Sequence, residues 1–213
     1  EARHYCANGR IVWISMHVTA LRDENGRITG LNGVTHDITE RKQREEEIHN
    51  LAYRDYLTGL YNRRFFEEEL TRLDVRRNLP LTIVMGDVNG LKLLNDSFGH
   101  KYGDKLLKRV TTALKESCRA DDLIARYGGD EFVIFLPKTD QFGAEKIIMR
   151  INSRLSAEKI NGINLSISLG CETKVSETQS IQDIIKNAEN RLYQNKLFES
   201  ASIRSKTIDV IMN

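Results

Sequence analysis

Three patterns of hydrophobic and polar positions divide the chain. Residues 1–36 alternate as β-strands do, and the Asn25-Gly26 pair between RIVWISMHVTAL and GLNGVTHDI is a hairpin-turn signal. We predict about three antiparallel strands, too few for a stable isolated domain. The next stretch, ERKQREEEIHNLAYRD (40–55), is highly charged and contains neither Gly nor Pro. Asp37 and Glu40 have capping-box spacing, so the sequence predicts a linker helix that either pairs with a second copy or is a solvated spacer.

From Leu57 onward the pattern changes to that of a compact α/β domain. LTIVMGD (81–87) is a continuous apolar strand that ends in an acid, and LIARY and EFVIFLP flank Gly128-Gly129 as a hairpin. A further strand is predicted over 163–170. Helices are predicted over 62–74, 91–97, 103–118, 144–155 and 181–196. Apolar strands interspersed with amphipathic helices predict an α/β (α+β) fold, with a mixed central β-sheet flanked by helices.

Composition excludes several classes of protein. The formal net charge is +2 over 213 residues, without a dense Lys/Arg run, so we expect no nucleic-acid partner. No apolar stretch reaches membrane-span length, so we expect no membrane segment in this chain. The three cysteines are far apart and odd in number, which argues against a disulfide framework or a cysteine metal site. We therefore predict a cytoplasmic location, with any membrane tether outside this fragment.

Asp87 is the first candidate for chemistry. It ends an apolar strand and is followed by Val-Asn-Gly and a predicted helix. A strand that opens onto a helix N-terminus presents free N–H groups to a phosphate, and a carboxylate there suits a divalent cation. Helix capping by Asp87 or Asn89 explains the same pattern without a ligand.

The GGDE turn is the second candidate. Gly128 and Gly129 permit positive φ values and close approach of a ligand, while Asp130 and Glu131 should point to opposite faces of a strand. If strand 81–87 is adjacent, one of the two acids faces Asp87 and completes a cation site. The alternative is a solvated turn.

Asn95 and Asp104 are the third candidate. An Asn amide and an Asp carboxylate together match the hydrogen-bonding edge of guanine, whereas the alternative is that they serve as caps and turns.

Together these blocks resemble the GGDEF family of diguanylate cyclases from about Asp55 to Lys196. The matching segments are DYLTGLYNRRFF, GDVNGLKLLNDSFGHKYGD, ARYGGDEFVIFLP, SISLG and AENRLYQNK. The resemblance implies a nucleotidyl-cyclase or palm-like fold. It also implies synthesis of cyclic di-GMP from two GTP with release of pyrophosphate. Because one such domain binds one GTP and the product is two-fold symmetric, a homodimer is implied.

The resemblance assigns roles by position. Asp87, the Val88 carbonyl and Asp130 match ligands of Mg²⁺, for which Mn²⁺ is a substitute. Asp130 and Glu131 are the catalytic acids, and the role of Glu131 stays open between assisting the metals and general base. Asn95 and Asp104 match the guanine-reading residues. The remaining substrate-binding positions, around the phosphates, are Asn89, Gly90, Leu91, Lys92, Gly128, Gly129 and Lys196.

Arg119-x-x-Asp122 precedes the GGDE turn at the offset of the family's inhibitory site, which binds the product cyclic di-GMP. Arginine binds phosphate and guanine edges bidentately, and Arg150 is a further candidate contact. The alternative is a surface ion pair of small energetic value.

The resemblance predicts four segments: the C-terminal strands of a PAS sensor domain (1–39), a signalling helix (40–54), a GGDEF domain (55–200) and a tail (201–213). Two features depart from many relatives. Asn89 stands where they have Asp, and no Gly-Arg follows Lys196. The tail resembles members that continue into an HD-GYP phosphodiesterase, so we expect a further domain to begin there.

Two other functions compete with a PAS-regulated diguanylate cyclase. The domain could be a catalytically silent GTP-binding module that regulates an attached phosphodiesterase, which Asn89 and the altered tail motivate. It could also be a purely structural dimerisation unit.

Overall fold

A computed structural model describes the backbone of residues 1–211 and the side chains of residues 1–197. The chain forms two compact units, one over Glu1–Ala52 and the other from Tyr53 onward. None of the helices in the described part of the chain combines the length and hydrophobicity of a membrane span. The predicted domain boundaries after 39, 54 and 200 stay predictions.

The first unit contains the three predicted antiparallel strands, in the order β1 (Ala2–Tyr5), β2 (Ile11–Arg22) and β3 (Ile28–Asp37). The β2–β3 turn uses Gly26 at φ +77°, as the Asn-Gly signal predicts. The Asp37 carboxylate accepts a hydrogen bond from the Thr39 N–H at 2.9 Å.

The linker helix, α1 (Thr39–Tyr53), begins two residues after Asp37 and has no buried residue. Two of its few apolar side chains, Ile48 and Leu51, are exposed. Pairing of this helix with a second copy stays a prediction.

The second unit contains a five-stranded sheet in the order β10-β5-β7-β6-β4. All neighbours are antiparallel except β4 and β6, so the predicted mixed sheet is confirmed. The elements are β4 (Tyr61–Asn62), α2 (Arg63–Leu73), a 3-10 turn (Arg76–Asn78), β5 (Leu81–Val88), α3 (Leu91–Phe98), α4 (His100–Ser117), β6 (Leu123–Arg126), β7 (Glu131–Leu136), α5 (Gln141–Ser156), β8 (Lys159–Ile160), β9 (Ile163–Asn164), β10 (Ile167–Lys174) and α6 (Ile181–Ile211).

Helices cover both faces of this sheet, as predicted. Alternate residues of β5 enter different apolar clusters, because successive strand side chains point to opposite faces. Val84 and Val88 pack with residues of α3, α4 and α5, whereas Ile83 and Met85 pack with residues of α2 and α6. The sheet is thus buried on both sides, which explains the continuous apolar runs in β5 and β7.

The structure differs from the predicted elements at several places. Strands β4 and β8 are additional, and α4 begins at His100 rather than at 103. The strand predicted over 163–170 is instead divided into β9, which pairs with β8, and β10, which runs from Ile167 to Lys174. Helix α6 extends through residue 211, beyond the predicted end at 196. The side chains from 198 onward, including that of Arg204 in the predicted tail (201–213), lie outside the described residues.

Candidate active site

Strand alternation sends the two adjacent acids of the GGDE turn to different sides of the sheet. Asp87 at the end of β5 pairs in register with Glu131 at the start of β7, and the Val88 N–H donates to the Asp130 carbonyl at 2.9 Å. The predicted adjacency of the two strands is therefore present. Asp130 lines a cleft with residues of the β5–α3 turn, whereas Glu131 lines a second cleft against α6.

The first cleft has a volume of about 470 Å³ and brings together most of the predicted metal and phosphate ligands. Its lining consists of Asp87, Val88, Asn89, Gly90, Leu91, Lys92, Leu93, Asp96, Asp130 and Lys196. A cleft of this size accommodates a small-molecule ligand. Of the predicted substrate residues, Asn95, Asp104, Gly128 and Gly129 are outside this lining.

Asp87 is the most buried acid of the cleft, at 8% exposure. Burial raises the pKa of its carboxyl; Lys196 opposes that shift and the neighbouring Asp130 charge adds to it. The Lys196 ammonium contacts Asp87 Oδ2 at 2.7 Å, while Asp87 Oδ1 is buried without a hydrogen-bond partner. A buried carboxylate oxygen without a partner is costly, and this indicates a site suited to an additional cation.

The donor set fits a magnesium ion. No group of three or more His, Cys, Asp or Glu side chains in the described part of the chain has metal-binding geometry. Asp87 and Asp130 nevertheless line one cleft, and Asp87 Oδ1 is available. Mg²⁺ is commonly held by one or two carboxylates together with waters and substrate phosphates, so two carboxylates suffice.

The turn between β5 and α3 is shaped for a phosphate. Gly90 has φ +75° and forms the N-cap of α3, and no side chain caps the helix. Its first N–H groups therefore face the cleft without a capping side chain. Asn89 is held by β10 and the residue that precedes it: its N–H donates to the Ser166 carbonyl, and its amide oxygen accepts from Ser168 at 3.1 Å. Lys92 is exposed in the same cleft.

Asn95 and Asp104 are brought together where α3 contacts α4. A Cβ placed on Gly103 would lie 2.1 Å from Asn95 Oδ1, so the Asn95 amide packs directly on the backbone beside Asp104. Asn95 Oδ1 is buried without a partner, and Asp104 is exposed. The amide is thus fixed by α4 and has an unused acceptor. Asp96, which the sequence analysis did not select, lines the cleft instead.

The second cleft surrounds Glu131. It has a volume of about 300 Å³ and is lined by Met85, Gly86, Asp87, Tyr127, Glu131, Glu189, Leu192, Tyr193 and Lys196. Glu131 folds over the hairpin turn, since a Cβ on Gly128 would lie 2.5 Å from Glu131 Oε2. Neither Gly128 nor Gly129 has positive φ, so the turn does not use the left-handed conformation that these glycines permit. Gly128 instead gives room to the Glu131 carboxylate.

An ion pair that the sequence analysis missed supports the GGDE turn. Arg126 donates to both carboxylate oxygens of Asp55 at 3.1 Å and to the Gly129 carbonyl at 2.6 Å. The side chains of Arg126 and Asp55 are 13% and 15% exposed. Burial alone would raise the pKa of Asp55, but hydrogen bonds from Thr58 and the Arg126 guanidinium hold it below its ordinary value. Asp55 lies in the DYLTGLYNRRFF block and Arg126 lies in the ARYGGDEFVIFLP block. The resemblance of these two blocks to the GGDEF family was the sequence signal that could have pointed to the pair.

The predicted product site is a loop between α4 and β6. The Arg119 N–H donates to Asp122 Oδ2 at 2.6 Å, and the Asp122 N–H donates to the Arg119 carbonyl at 3.1 Å. Asp122 thus fixes the loop backbone, while the Arg119 side chain is exposed. Arg150 of α5 donates to the Ser117 carbonyl, so all three predicted residues lie in one region. Burial raises the pKa of Asp122, and the Arg119 N–H opposes that shift.

Comparison with known proteins agrees with these features. Residues 52–200 match the model of the diguanylate cyclase GGDEF domain, and residues 1–43 match a PAS fold. The chain is 35% identical over 155 residues to the response regulator PleD of Caulobacter vibrioides, covering 68% of this chain and 34% of that protein. It is 31% identical over 169 residues to the diguanylate cyclase DgcM of Escherichia coli K12, covering 76% of this chain and 40% of that protein. The chain thus spans well under half of the length of these two curated relatives.

Solved structures show the same fold. The coiled coil and GGDEF domain of DgcB from Caulobacter crescentus, solved in complex with c-di-GMP, superposes with a TM-score of 0.68 at 23% identity, over 75% of this chain and 88% of that one. A sensory box/GGDEF family protein from Caulobacter crescentus CB15 gives 0.60 at 29% identity, over 68% and 97%. The chain belongs to the GGDEF-domain family and is a homologue of diguanylate cyclases.

Proposed function

We propose that this protein is a Mg²⁺-dependent diguanylate cyclase that condenses two GTP into cyclic di-GMP and pyrophosphate. The observation that carries the proposal is the 470 Å³ cleft in which Asp87 and Asp130 meet the uncapped N-terminus of α3. Carboxylates and free N–H groups in one cleft are the two donor types that a metal-bound triphosphate requires. The name of one curated relative, the diguanylate cyclase DgcM, agrees with this reaction.

Different residues of the chain would bind the metal, the phosphates and the guanine. Asp87 and Asp130 would hold a divalent ion, which when bound neutralises charge on the phosphoryl oxygens. The N–H groups that follow Gly90 would bind the phosphates, with Lys92 beside them. Asn95 packs on the α4 backbone beside Asp104, and the Asn95 amide and the Asp104 carboxylate would together bind the guanine edge.

The reaction joins a ribose 3′-hydroxyl to the α-phosphate of a second nucleotide. The new O–P bond forms as the bond to the pyrophosphate group breaks, and the hydroxyl proton has to be removed. Glu131 faces the second cleft, separated from Asp130 by strand alternation. The Glu131 carboxylate is exposed, and it can either accept the hydroxyl proton as a general base or help to hold the metal ions. Both roles stay open.

Incubation with GTP and Mg²⁺, followed by mass detection of cyclic di-GMP, tests this function. Asp130→Ala should abolish turnover with little change in melting temperature, because the substitution removes a carboxylate at the cleft and leaves both apolar clusters intact. Absence of product from wild-type protein that has been dimerised by force would contradict the proposal. GTP binding without product would then indicate a silent binding module.

Product inhibition is a separate part of the proposal. The exposed Arg119 guanidinium and Arg150 are suited to bind the phosphates and guanine edges of cyclic di-GMP. Arg119→Ala should leave the initial rate similar and weaken inhibition by added product, because the loop backbone keeps its Asp122 hydrogen bonds. Inhibition of the variant at wild-type product concentrations would reject this site. Arg154→Ala, in a neighbouring surface ion pair with Glu116, is the matched control.

A further inference from the structure

Only one of the two carboxylate oxygens of Asp87 contacts its lysine partner. Lys196 Nζ contacts Oδ2 at 2.7 Å, whereas Oδ1 is buried without a partner. One ammonium therefore occupies one side of a carboxylate that is also assigned to a metal. The formal charges of Asp87, Asp130 and Lys196 sum to −1.

The backbone that carries Lys196 is fixed to the sheet. The Asn195 amide donates to the Leu169 carbonyl at 2.8 Å, and Arg191 donates to the Cys171 carbonyl at 3.0 Å. Gly170 lets the backbone of Leu192 approach so closely that an added Cβ would lie 2.1 Å from its nitrogen. Any movement of the ammonium is therefore a movement of the side chain alone.

The Lys196 side chain has room to move. It is 43% exposed and lines both clefts, with Asp87 between them. Lysine carries its charge on a flexible four-carbon stem, so the ammonium can leave Asp87 without displacing α6. In the first cleft it would meet the space beside the α3 N-terminus, where phosphates are expected.

A divalent ion and the ammonium are like charges that compete for the same carboxylate. A metal bound while Lys196 stays in place would bring the local sum from −1 to +1, with the two cations in contact with one group. The phosphates of a nucleotide remove this conflict, because they neutralise the surplus charge and offer the ammonium new acceptors.

We propose that Lys196 is an exchange cation. It holds Asp87 in the metal-free protein, leaves when a divalent ion binds, and moves to the phosphates of the incoming nucleotide. Metal and nucleotide then bind with positive coupling, because each relieves a charge conflict that the other creates. This inference rests on the proposed function, since it assumes a metal at Asp87 and a triphosphate in the first cleft.

Direct binding of Mn²⁺, measured by electron paramagnetic resonance without nucleotide, tests the exchange. Lys196→Met should bind Mn²⁺ alone more tightly than wild type by a factor on the order of ten, within the range of coupled sites. In the presence of a non-hydrolysable GTP analogue, Lys196→Met should no longer bind Mn²⁺ more tightly than wild type, because the variant has lost a phosphate contact. Lys196→Arg keeps the charge and should keep the weak binding of metal alone.

Lys92→Met is the matched control. Lys92 lines the same cleft without an ion pair to Asp87 in the described structure, so its loss changes the cleft's charge without releasing that carboxylate. Thermal melting verifies that each variant is folded. Unchanged or weaker binding of Mn²⁺ to Lys196→Met, or an equal gain in Lys92→Met, would overturn the exchange.

The outcomes separate this inference from the proposed function. If wild-type protein binds no Mn²⁺ even with the GTP analogue, the metal site itself is rejected, and the proposed function is rejected with it. Wild-type protein that binds Mn²⁺ tightly with the analogue, while Lys196→Met behaves like Lys92→Met, would reject only the exchange. The gain in Lys196→Met alone, with loss of coupling, supports it.

Discussion

At the scale of single residues, Gly103 shows how a missing side chain can define a binding group. The Asn95 amide oxygen occupies the place where a Cβ of residue 103 would lie, at a separation of 2.1 Å. Gly103→Ala must therefore rotate the Asn95 side chain away. We expect GTP affinity, measured by calorimetry, to fall by about 1–3 kcal/mol, because the bound guanine would lose the Asn95 amide as a hydrogen-bond partner.

A double-mutant cycle with Asn95→Ala isolates this mechanism. If Gly103→Ala acts through the amide, it should weaken GTP binding far less in the Asn95→Ala background, because residues in contact are coupled. Equal losses in both backgrounds would mean that the alanine disturbs α4 in general.

Asp55 gives a residue-scale prediction with a defined pH dependence. Its folded-state pKa lies below the ordinary value of 3.8, because the Thr58 hydrogen bonds and Arg126 outweigh burial. A lowered carboxyl pKa stabilises the fold fully above the unfolded-state value, and that stability is lost as pH falls through the folded-state value. Asp55→Asn should thus cost about 2 kcal/mol at pH 7, as expected for hydrogen bonds to a charged group.

Urea unfolding at pH 7 and near pH 3 checks this sign. The deficit of Asp55→Asn should shrink in acid, because below the ordinary pKa of 3.8 the unfolded wild-type chain takes up a proton on this carboxyl, which reduces the stability gained from its charge in the fold. A constant deficit at both pH values would show that the carboxylate charge contributes nothing. Glu68→Gln, in an exposed pair with Arg64, is a control that should change stability little at either pH.

At the scale of elements, the contact of α6 with β10 decides where Lys196 lies. An added Cβ at Gly170 would lie 2.1 Å from the Leu192 nitrogen and 2.6 Å from the Ala188 carbonyl oxygen. These are backbone atoms, so the helix itself must move. Gly170→Ala should destabilise the unit by about 3 kcal/mol, as overpacking in a core does, and should separate Lys196 from Asp87.

Gly33→Ala is the matched control for that change. It is also a strand glycine, but its nearest neighbours to an added Cβ are 3.7 Å away and its φ is not positive. Its substitution should leave stability near wild type, as chemical denaturation can show. Similar losses for both variants would attribute the effect to strand glycines in general rather than to the approach of α6.

The sequence predicts those elements whose pattern is local. β5 and β7 are long apolar runs and α4 is strongly amphipathic, so each is evident from periodicity. β4 has two residues, too few for a period to appear, and its parallel partner β6 lies far along the chain. The Asp55–Arg126 pair joins positions 71 residues apart, and the role of Gly128 depends on where Glu131 folds. No local pattern encodes such contacts.

At the scale of the whole molecule, the proposed product demands more than one chain. Under the proposed function one cleft binds one GTP, while cyclic di-GMP contains two nucleotides related by two-fold symmetry. The rate per chain should therefore rise with protein concentration and level off once dimers are complete. Initial rates over a dilution series, with molecular mass from light scattering, measure this.

Mixing experiments at saturating protein concentration make the requirement stricter. Asp130→Ala chains should combine with wild-type chains into dimers that hold one incompetent nucleotide. Addition of an equal amount of the variant doubles the number of dimers, and about a quarter of randomly formed dimers contain two wild-type chains. The number of fully wild-type dimers, and with it the activity, should therefore fall to about half of its original value. An unrelated protein at the same concentration should have no effect. Activity that stays proportional to wild-type chains alone would mean that one chain completes both bonds, which a single cleft for one nucleotide does not explain.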